Sequence, residues 1–475
     1  MVRAAQTFLV LAVVVGALAT LAVTDSLSTA QSAPRVQADV RINPGYPRQS
    51  VSLRKFPFPF QAMLAIESDA DHVTLRKFNL IHEFLNTTID TPMGRGLGLD
   101  IGDSFFLYNG SNMRYTIDIS HTPLSREMTF FKGVSRRLYD GPILLRYMKA
   151  GWIDTIHSMG DFSRVGARGT LFARAQAVYA MRYLTAHGVH LTVYTDHGNQ
   201  SNTANFGAYG YQDNAFFDYQ QGDNPYSPYY VTDLLRKEGV RFVWADIYNN
   251  QYSYSSMIYP IRLRDGHSIW GFWRFTGTLN LIKRPDHPWV YDWHDFWNPY
   301  DLYRELAPGL LQQLIRTHGY TIVAQHLEGN PNRFVLPTSA VESLVRLAHM
   351  QDRGLILVAR TSRLLLYNLV ERYLRYKTSY ARGVTYINIE DVADPVDGTF
   401  VPDWNQLHGV TFVVHDPNQA VITVRGKPAP VHLLKRTAHT IGIAWYPPNT
   451  ANYAVAGISV WRREVAFAAV PFSWY

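Results

Sequence analysis

The sequence predicts an α/β fold: a parallel sheet curled into a distorted (β/α) barrel, followed by a small all-β domain. Two observations predict it. Between about residues 60 and 385, short apolar runs of strand length alternate with segments of helical period, as βαβ units do. After about residue 385 the helical period vanishes, and runs such as "GVTFVVHD", "AVITVRG" and "TIGIAWYP" alternate with turn residues instead.

The elements follow in order. Ala62 to Ile66 is the first core strand, and "HVTLRKFNLIHEFL" carries Leu75, Phe78, Ile81 and Leu85 at roughly helical spacing. "WIDTIHS" reads as a strand. In "LFARAQAVYAMRYLTAHG", Leu171, Ala175, Val178 and Met181 line one helix face, and Gly188 stops it. "VHLTVYTD", "VRFVWAD" and "YTIVAQH" are further strands. "SAVESLVRLAHMQDRG" opens with a capping-box pattern, Ser339 and Glu342, and closes at Gly354. "LILVART" and "SRLLLYNLVERYL" add one more strand and helix. Residues 205 to 300 break this rhythm. They are rich in Tyr, Trp and Asn with little periodicity beyond a hairpin-like "YPIRLRDGHSIWGFWRF", and are expected to be a long insertion over one mouth of the barrel. The chain therefore divides into a leader (1–30), a Pro-, Gln- and Ser-rich linker (31–60), the barrel with its insertion (61–385) and a C-terminal β-domain (390–475).

Composition narrows the function. The 475 residues are 47% hydrophobic and 17% charged, which excludes bulk disorder. Aromatic residues reach 14%, with 30 Tyr and 11 Trp; they suit stacking on sugar-like ligands, although large cores and membrane-proximal surfaces use the same residues. The net charge is +7, but no Lys/Arg run is dense enough to argue for nucleic acid. With no cysteine, disulfides, thiol nucleophiles and thiolate metal sites are excluded together, and a metal would need His, Asp and Glu ligands. At the N-terminus Arg3 precedes the apolar stretch Thr7 to Val23, with no charge until Asp25. Its length lies between that of a signal-peptide core and a membrane span. "STA" at 28–30 offers small residues for cleavage; cleaved or kept as an anchor, the segment places the rest outside the cytoplasm (periplasm, cell surface or medium).

Parallel α/β folds bind ligands where strands end. The first strand ends in "AIESDADH", residues 65–72, with three carboxylates and a histidine. Ionised carboxylates beside a buried strand need a partner: a metal ion, a basic side chain or water. Alternation along an extended chain turns Asp69 and Asp71 the same way, where they repel unless a cation or proton intervenes. Other strand ends supply "HSMGD" (157–161), "TDHGNQSN" (195–202), Asp246 and His326. His157 and Asp161 reach one face if a helical turn starts there. Each has an ordinary reading too: loop capping for the aspartates, a simple hydrogen-bonded pair for His157 and Asp161, a core histidine for His326, and a tight turn around Gly198 for His197 and Asn199.

This order of residues resembles the polysaccharide deacetylase (NodB-homology) superfamily over roughly residues 60–380, leaving out the insertion. The resemblance implies a distorted (β/α) barrel that removes acyl groups, typically N-acetyl, from glycans with one divalent metal, usually zinc. It implies Asp69 as catalytic base, Asp71 and His157 as metal ligands, Asp161 where a second metal histidine is usual, and His326 as general acid. The usual Thr/Ser-Phe-Asp-Asp-Gly reads Ile-Glu-Ser-Asp-Ala-Asp here, and "YTDHGNQSN" stands where an arginine-proline-tyrosine motif is expected. A set of one histidine and two carboxylates shifts preference from zinc towards manganese or magnesium. His197 is the alternative third ligand. "PWVYDWHDFW" (288–297) would supply sugar-stacking surfaces, with His294 and Asp295 as partners of the ligands. The expectation is an extracytoplasmic, metal-dependent carbohydrate deacetylase. The alternatives are a non-catalytic glycan-binding or polysaccharide-assembly protein on the same barrel, and a glycoside hydrolase using Asp69 with a second carboxylate.

Overall fold

Eight consecutive residues, Ala62–Asp69, form β1, and all eight are buried. The computed structural model describes residues 50–70, 73–110, 127–162, 170–197, 201–207, 219–245, 251–282, 290–295, 298–328, 335–448 and 451–454. The predicted leader, most of the linker, Asp71, Asn199, Asp246 and the end of the β-domain lie outside these residues.

Strands and helices alternate from β1 onward: α1 (Leu75–Asn86), β2 (Gly102–Phe105), α2 (Gly141–Ala150), β3 (Ile153–His157), α3 (Arg174–Ala186), β4 (Val193–Thr195), α4 (Thr232–Lys237) and β5 (Phe242–Trp244). A hairpin of β6 (Ile258–Arg262) and β7 (Ser268–Phe272) follows, then the pair β8 (Gly277–Ile282) and β9 (Val290–Asp295). Next come α5 (Pro308–Arg316), β10 (Tyr320–Gln325), α6 (Thr338–Asp352), β11 (Ile356–Val358) and α7 (Thr361–Tyr373). The main sheet runs β6-β7-β5-β4-β3-β2-β1-β10, with β11 also paired to β1. Apart from the β6–β7 hairpin, its pairs are parallel. A parallel sheet covered by helices needs apolar strands, and "AMLAI" at the start of β1 supplies one.

The sheet is an open one: among the described residues no continuous ladder closes it. Its two ends meet at two isolated bridges: Phe275, just beyond β7, donates to Ile322 (2.7 Å) and accepts from Ala324 (2.9 Å), and Tyr254, before β6, exchanges hydrogen bonds with Tyr320 (3.0 and 2.8 Å). The range 205–300 is also not an insertion throughout, because β5 and β7 are neighbouring strands of the main sheet. The sequence shows β5 and the β6–β7 hairpin as strands, but strands of three to five residues carry too few alternations to show that they belong to the main sheet. Among the described residues of that range, only the β8–β9 pair forms a separate two-stranded sheet.

Helix ends follow local chemistry. Thr74 caps α1, its hydroxyl accepting from the Lys77 amide at 3.3 Å. The capping box expected at Ser339 and Glu342 does not form. Pro337 is the N-cap residue of α6 and no side chain caps it, so Ser339 already sits inside the first turn, its carbonyl accepting from Ser343.

Beyond α7 the chain is mostly strand: β12 (Leu374–Ala381), β13 (Val384–Val392), β14 (Thr411–Val413), β15 (Ala420–Val424), β16 (Leu434–Arg436) and β17 (Thr440–Ile443). The two-residue strand Ser52–Leu53, in the expected linker, pairs with β14. One apolar core runs from Met63, Ala65 and Ile322 of the main sheet to Ile387, Ile389, Phe412 and Ile441. Among the described residues no helix is long and apolar enough to cross a membrane.

Alternation along β1 sorts its polar end. Glu67 and Asp69 point to one face with Ser104 of β2; Ser68 points to the other, level with Asp103.

Candidate functional site

The first face holds a buried ion-pair network. Arg274, 1% exposed at its side chain, lies just past β7. Its Nη2 donates to Asp69 Oδ2 at 3.0 Å and to the Glu67 carbonyl at 3.2 Å, and its Nε lies 3.3 Å from Glu67 Oε2. The guanidinium sits 4.5 Å from the Trp244 ring centre, a cation–π contact from the end of β5. The Thr195 hydroxyl donates to Glu67 Oε1 and the Ser104 hydroxyl to Asp69 Oδ1, the latter at 2.6 Å. For the two described carboxylates, a basic side chain is thus one partner of the acidic cluster.

Burial pushes the Glu67 carboxyl up to about 7, against the pull of Arg274 and with Asp69 adding to the rise. A folded-state value above the unfolded one means the unfolded chain gives up its proton first. Glu67 thus stabilises the fold fully at low pH, and this contribution is lost as pH rises from about 4.5 through about 7. The loss is on the order of 3 kcal/mol. Urea unfolding of wild type and Glu67→Gln across this range should show the two stabilities diverging by about that amount; parallel profiles would refute the assignment.

Beside Asp69 stand the histidines. His157 Nδ1 is 4.0 Å from Asp69 Oδ1. The His157 ring stacks on Phe106 at 4.7 Å and meets the His197 ring edge-on at 4.9 Å. Asn202 holds His197 through an Nδ2–Nδ1 contact of 2.6 Å, in which the amide can only donate, so His197 carries its proton on Nε2. The same Asn202 accepts from the Phe162 amide at 3.2 Å, tethering the residue after Asp161. Asp161 is 7% exposed and opposite Asn109 in a short parallel bridge.

The structure thus gathers Asp69, His157 and His197, with Asp161 tethered nearby. His326 is half-buried just past β10, its amide donating to the Gln325 side chain at 3.0 Å. Asp71 and Asn199 lie outside the described residues. Of His294 and Asp295 only the strand backbone is described, opposite Thr278 and Gly277.

The second face holds a group that no sequence motif marked. His82 of α1, Asp103 of β2 and Glu328, just beyond β10, are all fully buried, and their ligand atoms lie within 4.8 Å of one another. These three side chains could hold a metal ion. His82 Nε2 is 3.2 Å from Asp103 Oδ2 and 3.9 Å from Glu328 Oε1. Burial dominates their ionisation. It raises Asp103 well above the carboxylate range and, helped by Asp103, takes Glu328 up to about 8; it lowers His82 to about 4 despite Glu328.

Signals for the missed residues exist. Arg274 ends the apolar strand run "IWGFW", where a lone guanidinium demands a buried acid. His82 sits four residues after Phe78 on the apolar face of α1.

The fold and site define a mixed α/β protein with polar chemistry on both faces of a parallel sheet. Compared with known proteins, the chain matches no family model, no curated protein and no solved structure.

Proposed function

We propose that the chain is a hydrolase that removes acyl groups, N-acetyl foremost, from an extracytoplasmic polysaccharide. The observation that carries this reading is the setting of Asp69: a strand-end carboxylate oriented by Ser104 and Arg274, with His157 4.0 Å from the same oxygen that Ser104 binds. Strand ends of parallel sheets are where such folds bind substrate. The Phe275–Val323 bridge supports taking the sheet as a distorted barrel with this group at its mouth. The apolar stretch Thr7 to Val23 supports an extracytoplasmic setting, with or without an N-terminal anchor.

In this reading Asp69 takes the proton of the attacking water. The water oxygen bonds to the acyl carbon, the C–N bond breaks, and His326 gives the amine its proton. Arg274 neutralises and orients Asp69, and supplies beside it an arginine from outside any recognisable motif. Asp71, His157 and Asp161 would hold one divalent ion, zinc or, with two carboxylates, manganese or magnesium; bound there, it supplies carbonyl polarisation and a more acidic water.

A second reading, a glycan-binding or assembly protein, is favoured by the enclosure of Asp69, only 6% exposed and already ion-paired. Incubation with N-acetylated polysaccharides separates the two. Released acetate is the expected result; new reducing ends would point to glycosidic cleavage, and chelator-indifferent binding without any product to the second reading.

A further inference from the structure

We propose that His82, Asp103 and Glu328 form a separate, structural site for one divalent cation of the zinc–manganese class, enclosed between α1 and the sheet. The proposal is independent of the chemistry at the mouth.

The argument rests on which atoms face one another. Asn86 Nδ2 donates to the Ile101 carbonyl at 2.6 Å, which fixes the amide so that Oδ1 faces His82 Nδ1 at 3.1 Å. An amide oxygen can only accept, so Nδ1 carries the ring proton and Nε2 of the neutral ring presents a lone pair. That lone pair faces Asp103 Oδ2 at 3.2 Å and Glu328 Oε1 at 3.9 Å. Among the described residues, none of these three atoms has a hydrogen-bond partner, nor does Asp103 Oδ1. Lone pairs converging in a fully buried space repel unless something positive sits among them.

A divalent ion satisfies all three. Tetrahedral coordination at ~2.0–2.1 Å sets ligand atoms about 3.3 Å apart. The first separation already matches, and a small side-chain adjustment closes the second. The surrounding bonds are those a ligand set needs. Asn86 fixes the imidazole tautomer, and the Ser68 hydroxyl donates to the other Glu328 oxygen at 3.1 Å. The Leu327 amide donates to that hydroxyl in turn at 3.0 Å. The rings of Phe78 (4.2 Å) and Trp152 (5.4 Å) flank His82 and keep its surroundings apolar. Full burial of all three side chains suits an ion that holds the fold rather than one that meets a substrate. What the ion does is tie helix α1, strand β2 and the segment after β10 together.

Thermal melting of the chelator-treated full chain, with and without added Zn2+ or Mn2+, tests this. The ion should raise the midpoint by several degrees, and chelator should reverse the rise. Glu328→Gln and His82→Gln should abolish the part of the rise given by this ion, whereas Asp161→Asn, at the mouth, should keep that part. No rise in wild type would overturn the proposal, since a proton shared by the carboxyls would then suffice. An undiminished rise in Glu328→Gln, or one lost altogether in Asp161→Asn, would overturn it by placing the ion elsewhere. Should the Glu328 and His82 variants not fold, anomalous scattering from manganese-soaked wild-type crystals decides: a peak beside His82 is expected, whatever the mouth holds, and no peak there refutes the site. Acetate release plays no part in these measurements, so the two proposals fail separately.

Discussion

Arg274→Met should lower the free energy of unfolding by about 3–5 kcal/mol at neutral pH, the usual result of removing one partner from a buried ion pair. Arg274 is the cation shared by Glu67 and Asp69, and it bonds both the Asp69 carboxylate and the Glu67 carbonyl. Methionine keeps much of the stem's apolar contact but leaves two carboxyls facing each other away from water. One must then stay protonated, so the loss should grow as pH rises. Adding Glu67→Gln to the variant should recover part of the stability, because a neutral amide no longer needs the guanidinium. Arg274→Lys should fall in between: it keeps the charge and loses the planar fork that reaches several oxygens at once. Urea titrations of the four proteins measure all of this. A loss below about 1 kcal/mol in Arg274→Met would mean that the pair is far better solvated than its burial indicates.

Asp69→Asn should reduce acetate release by about 10²- to 10⁴-fold while leaving saccharide affinity nearly unchanged, with a stability loss smaller than that of Arg274→Met because Glu67 still faces the guanidinium. The substitution is isosteric, and an amide oxygen can still accept from Ser104, so the replacement side chain fills the same space without basicity. A merely structural partner of Arg274 would lose stability alone, with turnover per folded molecule kept. Turnover within tenfold of wild type would remove Asp69 as the proton acceptor and strengthen the reading of the chain as a binding protein. The measurement is acetate release at saturating polysaccharide, with binding followed in parallel.

Much of the architecture was legible in the sequence because the strands are short apolar runs and the helices carry a continuous 3.6-residue period. Residues 152–158, 320–326 and 355–361 each contain an observed strand, and the helix expected over 171–188 forms as Arg174–Ala186. The hairpin read in residues 259–275 is the β6–β7 pair. Several elements resisted, β2 and α2 among them. β2, "GDSF", is too polar and too short to read as a core strand, yet it lies beside β1. α2 has its N-terminus at Gly141 and Pro142 after residues without period, so no pattern announced it.

The candidate site divides in the same way. That carboxylates cluster at the end of β1 is a property of consecutive residues, and so is the demand for a positive partner. Which partner answers is not. Arg274 reaches Asp69 across 205 positions of sequence because β7 leads the chain to the far end of the sheet, beside β10 and hence β1. His82, Asp103 and Glu328 come from a helix, a strand and a post-strand turn that only packing brings together.

By itself the sequence determined the class of fold, the positions of most strands and helices, the lack of any thiol chemistry and the acidic strand end. Those follow from local period and composition. Tertiary structure alone decided that the sheet stays open in its ladders, that Arg274 is the cation beside Asp69, and that a second polar group lies behind the sheet. The reason is physical: hydrogen-bond register and side-chain convergence depend on how distant segments pack, and alternation in β1 then sends neighbouring residues to opposite faces.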